Sequence, residues 1–169
     1  MKKRIALSAL ILMFAIANKT TAQTIVDAAA SNKDFTTLVT ALKAADLVGA
    51  LQAEGPFTVF APTNDAFAKI DAATLESLLK PENKATLSGI LTYHVVAGKL
   101  AAADVVKALA NGNGTVSLKT LNGQMITVTQ KDGKIWLLDQ NNNYSEIVKT
   151  DVMGSNGVIH VINTVVMPN

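Results

Sequence analysis

Apolar positions in this chain follow two different periods, one before and one after about residue 112. In the first part the spacing is helical. Phe35, Leu38, Val39 and Leu42 fall at i, i+3, i+4 and i+7, predicting a helix that Asn32 caps. A shorter helix is expected over Thr24–Ala30 and one more helical turn over Asp46–Leu51, before Gly55-Pro56 breaks the pattern. Asp71 can cap a helix carrying Leu75, Leu78 and Leu79, which Pro81 ends or restarts. Leu87, Ile90, Leu91 and His94 share one helical face. Tyr93-His94-Val95-Val96 is rich in β-formers, so the helix is expected to yield to a strand near Thr92. Gly98 closes that segment, and Ala102–Ala110 predicts a further helix.

One strand interrupts the helices early, in Phe57–Phe67. Phe57, Val59 and Ala61 fall on one face and Thr58 and Phe60 on the other. Pro62 removes a backbone donor and should stop the strand at Ala61. Thr63 then stands as an N-cap, with Asp65 in the first turn, where a helix dipole favours a carboxylate, and with Ala66 and Phe67 opening the buried face. After Asn111–Gly114 the period becomes two. Val116, Leu118 and Thr120 alternate, Asn122-Gly123 signals a hairpin, and Ile126 and Val128 continue on the returning strand. Asp132-Gly133 makes the next turn, Ile135–Leu138 another strand, and Asn141–Asn143 a polar loop. Tyr144–Val152 reads as a strand with Ile147 central. The turn Gly154–Gly157 leads into the near-continuous apolar strand Val158–Ile162, and Thr164–Met167 ends the pattern before Pro168. Helices, one strand, more helices and then a meander make an α+β chain, not a repeating βαβ one.

Composition changes this picture at the N-terminus. Lys2, Lys3 and Arg4, then an apolar stretch of 13 residues over Ile5–Ala17 broken only by Ser8, then Thr20-Thr21-Ala22, have the layout of a secretory signal peptide. The apolar stretch is too short to span a bilayer. Cleavage after Ala22 leaves one domain over residues 23–169 in a secreted or periplasmic setting, with no transmembrane segment in the mature chain. It also removes Lys2, Lys3, Arg4 and Lys19, taking the formal charge from +2 to −2. The basicity of the full chain is therefore an export feature, and nucleic-acid binding is excluded as a function class. With no cysteine in the chain there is no disulfide, thiolate metal site or cysteine nucleophile, so packing alone must hold the domain.

Candidate chemistry is sparse. His94 and His160 are the two histidines; both lie in Val/Ile-rich segments without a clustered carboxylate, which reads as hydrogen-bonded core and not as a metal site. No Gly-x-Ser-x-Gly elbow places a nucleophile, and Gly112-Asn113-Gly114 lacks the further glycine and the lysine of a phosphate loop. Asp132 and Asp139 flank an apolar strand with nothing near them in sequence to perturb them. Asn64 and Asp65 read as turn and helix-start residues. The sequons at Asn113 and Asn143 read as polar loops, and Met125 and Trp136 as core or sheet-face residues and not as a ligand platform. An enzyme is not expected.

Three ordered motifs nevertheless carry a resemblance. FTVFAPTNDAF at Phe57–Phe67, ILTYHVV at Ile90–Val96 and NGVIHVINTVVMP at Asn156–Pro168 are similar to the boxes of the fasciclin (FAS1) domain family, and the resemblance runs from Thr24 to Pro168. It implies a β-wedge or sandwich with a helical cap. It also implies an extracellular adhesion or interaction module without catalytic activity, cofactor or metal, whose partner is a protein or glycan at the cell envelope or surface. Tyr93 and His94 are the binding residues it implies. Thr58, Pro62, Thr63, Asn64, Asp65, Phe67 and His160 become fold-motif positions. The alternative function is a small-molecule or lipid-like ligand binder, using a pocket between helices and sheet.

Overall fold

The computed structural model describes residues 23–169. The expected signal peptide, Met1–Ala22, lies outside the described residues.

Five of the helical segments begin where the sequence supplies a cap. Thr24 and Asp27 form a reciprocal capping box that starts α1 (Ile25–Ala30). Asn32 accepts from Asp34 N to open a 3-10 turn (Lys33–Phe35), which runs into α2 (Thr36–Ala44). After α3 (Val48–Gln52) the chain breaks at Gly55-Pro56 and enters β1 (Phe57–Pro62). Thr63 caps α4 (Asn64–Phe67) and Asp71 caps α5 (Ala72–Leu78). A 3-10 turn at Pro81–Asn83 leads into α6 (Lys84–Tyr93), then β2 (Val95–Ala97) and α7 (Ala102–Asn111). The Asp104 carboxylate accepts from Ala101 N at the start of α7.

The meander follows as β3 (Thr115–Lys119), β4 (Met125–Lys131), β5 (Lys134–Leu138), β6 (Tyr144–Gly154) and β7 (Gly157–Ile162). The sheet order is β2-β1-β7-β6-β5-β4-β3. All neighbours are antiparallel except β1 and β7, which run parallel over six residues from Phe57↔Gly157 to Pro62↔Ile162. A bridge between Val96 and Thr120 brings the two ends of the sheet together, so it wraps into a near-barrel. This is the expected α+β class with its helical cap.

The two faces of β1 enter two separate cores, as its alternation requires. Val59 and Ala61, with Ile159 and Val161 of β7, pack under α1, α2 and α6 against Ile25, Phe35, Leu38, Leu87 and Leu91. Phe60 and Ile162 point the other way, into the barrel, against Tyr93, Val105, Leu109, Ile126, Val128 and Leu137. β7 is buried at every position, which is why it reads as a continuous apolar run and not as an alternation.

Three local expectations change. Helix α6 persists through Tyr93, with His94 as its C-cap, instead of yielding near Thr92. The β-formers there are held helical because Tyr93 is anchored in the barrel and the His94 ring bonds the carbonyl one turn back. Asn122-Gly123 sits in a five-residue loop between Lys119 and Met125, and is not a two-residue turn. Asn122 Oδ1 accepts from Thr120 Oγ1 and Gln124 N, organising that loop through its side chain. The tight turn is Asp132-Gly133, with φ of 53° and 74° between the paired Lys131 and Lys134. Strand β1 also continues through Pro62, which occupies its last position, where no ladder donor is missed.

Candidate functional site

The strand-to-helix junction is built from side-chain to backbone bonds. Thr63 Oγ1 accepts from Ala66 N at 3.2 Å, capping α4. Asn64 reaches across to the start of α2. Its Oδ1 accepts from Thr37 N (3.0 Å) and Thr36 Oγ1 (3.2 Å), and its Nδ2 donates to Lys33 O at 2.8 Å. Asp65 is exposed, and with Asp34, Thr63 and Asn64 it borders a recess of about 250 Å³. Phe67 is buried in the helical core. Thr58, fully buried, donates from Oγ1 to Gly98 O (2.7 Å) and accepts from Leu100 N (2.9 Å), tying β1 to the turn after β2. These positions hold elements together. Asp65 is the exception: its carboxylate faces the open recess, with no histidine, lysine or arginine among the residues that line it.

Both histidines are interior and have both ring nitrogens engaged. In His94, Nδ1–H donates to Ile90 O at 2.8 Å and Nε2 accepts from Val166 N at 3.3 Å. Burial of the ring pushes its pKa down to about 4, so it is neutral at physiological pH. In His160, Nε2–H donates to Leu100 O at 2.7 Å, Nδ1 accepts from Asp151 N at 3.4 Å, and the ring stacks on Phe60 with centroids 5.9 Å apart. The carbonyl partner assigns the tautomer in each case. No group of three or more His, Asp or Glu is arranged to hold a metal ion among the described residues.

The pair implied by resemblance as binding residues, Tyr93 and His94, is thus folded inward, with 0% and 2% of each residue exposed. Tyr93 OH donates to Met125 O at 3.0 Å, and burial, with the Asp139 charge second, raises its pKa above the ordinary phenol value. In this conformation neither side chain is presented to a partner.

Three polar residues to which the sequence assigned no structural role are equally committed. Asp139, buried beside the barrel mouth, accepts four bonds, from Asn141 N, Asn143 N, Asn143 Nδ2 and Met167 N. It fastens the C-terminal segment to the β5–β6 loop. Asn156 accepts from Ile25 N and donates to Leu51 O and Ala53 O, locking α1 and α3 to the β6–β7 turn. Ser145, fully buried, donates to Thr164 O and accepts from Thr164 N. A polar loop was legible at Asn141–Asn143, but bonds to residues 19 or more positions away leave no local signal.

The apolar space between helices and sheet, bordered by Ile25, Leu38, Leu42, Val59 and Ile159, amounts to about 20 Å³. That is room for about one water, against the roughly 300 Å³ or more of ordinary ligand sites. The larger recesses are open and on the surface. One of about 450 Å³ runs between Gln52–Pro56, Lys99 and the β6–β7 turn, and one of about 410 Å³ between α6, the β3–β4 loop and the C-terminus.

Comparison with known proteins agrees with this architecture. The family model of the fasciclin domain matches residues 33–168. The chain is similar to Protein sll1483 of Synechocystis, with 55% identity over 147 residues, covering 87% of this chain and 74% of that one. It is also similar to Immunogenic protein MPB70 of Mycobacterium bovis, with 37% identity over 146 residues, 83% of this chain and 67% of that one. Among solved structures, a FAS1 domain pair from the insect cell adhesion molecule Fasciclin I superposes with a TM-score of 0.74 at 21% identity, over 84% of this chain and 50% of that chain. That last likeness concerns the fold alone. A family match over residues 33–168, with 55% identity to a relative of which the chain covers 74%, makes this protein a member of the fasciclin domain family.

Proposed function

We propose that this protein is a non-enzymatic interaction module of the cell envelope or surface, exported by cleavage after Ala22 and associating with a protein or glycan. The observation that carries the reading is the state of its polar groups. The residues that chemistry would need, His94, His160, Asp139 and Thr58, are buried and committed to internal hydrogen bonds. What the domain offers outward is surface. Membership of the fasciclin family supports the same reading, and the structurally similar domain pair comes from a cell adhesion molecule. Tyr93 and His94 act in this reading as the frame of the α6–β2 corner, and any partner meets the exposed residues around them.

The ligand-binding alternative requires a pocket between helices and sheet, and the 20 Å³ found there does not favour it. Affinity capture from intact envelopes, with the purified protein as bait, tests the proposal. Recovery of a saturable protein or glycan partner supports it; capture of nothing above a bait-free control sinks it. N-terminal sequencing of the exported form should begin at Gln23.

A further inference from the structure

The outward face of the meander carries a feature that neither the family boxes nor the cores use. Cross-strand register places Thr115, Thr129, Trp136 and Glu146 in one row, and Ser117, Thr127, Leu138 and Tyr144 in the next. Trp136 and Tyr144, diagonal neighbours on β5 and β6, meet edge to face with ring centroids 6.3 Å apart. Beside them Lys134 Nζ lies 2.7 Å from Glu146 Oε1 and 6.0 Å from the indole centroid. With Lys131 the two aromatic rings line a cleft of about 180 Å³. Tyr144 is 54% exposed, whereas the indole N–H of Trp136 is buried without a hydrogen-bond partner. Lys131 makes no ion pair among the described residues.

We infer that this cleft binds an acidic glycan, one sugar ring stacked on the exposed Tyr144 in the corner it makes with Trp136, with its carboxylate on Lys131. The reading rests on the interaction role proposed above and names its ligand class. A pyranose presents an apolar face of C–H groups, which suits the negative face of an aromatic ring, and a rim of hydroxyls that each donate and accept. Here the aromatic pair stands on a rigid sheet. The Lys134–Glu146 pair supplies adjacent donors and acceptors already held in place, and the row of Thr and Ser hydroxyls continues the polar rim. Lys131 is the charged side chain that lines the cleft, while Lys134 is offset by its pairing with Glu146, so the cleft presents a cation to a carboxylate. A second copy of the chain is a poor occupant. Among the described residues, Tyr144 is the only large exposed apolar side chain that lines the cleft, far less than the roughly 1,600 Å² that a stable protein interface buries.

Trp136 is the single tryptophan of the chain, so its emission reports on the cleft directly. The purified protein is titrated with a tetramer of galacturonic acid, with cellotetraose, and with polyglutamate as a sugar-free polyanion. The expected result is a saturable emission change with the uronate, weaker at high salt. Tyr144→Ala should weaken binding at least about tenfold, as loss of one stacking ring does. Lys131→Gln should bring the uronate affinity down to that of cellotetraose, with circular dichroism unchanged in both variants. No response to the uronate overturns the inference, as does an equal response to polyglutamate or unchanged binding by Tyr144→Ala. Emission that depends on protein concentration without sugar points to self-association and also overturns it. Co-sedimentation with intact envelopes separates the two proposals: if the protein sediments and Tyr144→Ala and Lys131→Gln sediment equally, the interaction role stands and the glycan cleft falls.

Discussion

Acid should unfold this domain in a window that one buried histidine sets. The His94 ring is 2% exposed, donates to Ile90 O, accepts from Val166 N, and has its pKa pushed down to about 4 by burial. In the unfolded chain the same ring titrates near its ordinary 6.5. A proton on His94 must therefore either enter the core, where Nε2 already accepts a bond, or wait for unfolding. Between about pH 6.5 and 4 the unfolded state binds the additional proton, so stability falls as pH falls. The full difference is worth about 3 kcal/mol, of which about 2 is already lost by pH 5. For a domain of this size that is a drop of roughly 4–8 °C in melting temperature. The Asp27 carboxyl, held below its usual value of 3.8 by the Thr24 hydroxyl and backbone N–H, works lower on the scale. Its contribution is present above its unfolded pKa and is lost only as pH falls below that value, so it does not mimic the His94 effect. The assay is urea unfolding at half-unit steps from pH 7.5 to 4.5, on the wild type and on His94→Gln. The variant is less stable throughout, but its stability should decline less steeply across the window, by up to one proton. A His94 ring that titrates near 6.5 by NMR in the folded protein, or equal slopes in both proteins, would refute the reasoning.

The strand-to-helix junction gives a second test: Thr63→Ala removes the acceptor for Ala66 N and should lower the urea midpoint by about 1 kcal/mol of stability with the m-value unchanged. An unchanged midpoint would remove Thr63 from the role of cap. At Gly157 a Cβ would collide with Phe57 O across the parallel pair, so Gly157→Ala should cost about 1–3 kcal/mol by forcing β1 and β7 apart. Amide exchange resolved by residue should show the loss of protection centred on those two strands, and protection lost evenly along the chain would count against this origin. Added zinc should leave the melting temperature where it is, because each histidine nitrogen is already bonded to backbone. A rise with zinc that His94→Ala abolishes would restore the metal reading.

Much of this fold was legible along the chain because its signals are local. The caps at Asn32, Thr63 and Asp71, the apolar stripe of α2 and the alternation of β1 each depend on residues within a turn or two of one another. Alternation also separated the two faces of β1, and the structure sends Val59 and Ala61 to one core and Phe60 to the other. What lay beyond reach was the partner of each face. The run Ile135-Trp136-Leu137-Leu138 is apolar at every position, so its sequence cannot say which residues point out. Only pairing with Thr129 and Glu146 puts Trp136 on the surface, beside Tyr144. Nor does any local pattern say that Tyr93 stays helical, because that follows from its bond to Met125, 32 residues away. The parallel match of β1 with β7 joins residues 100 positions apart. Burial on both faces demands that β7 be covered, but many coverings satisfy that demand. The sequence by itself therefore determined which segments are helix or strand and which positions must leave water. The tertiary structure alone decided who meets whom, because burial is a property of each residue and pairing a property of the whole chain.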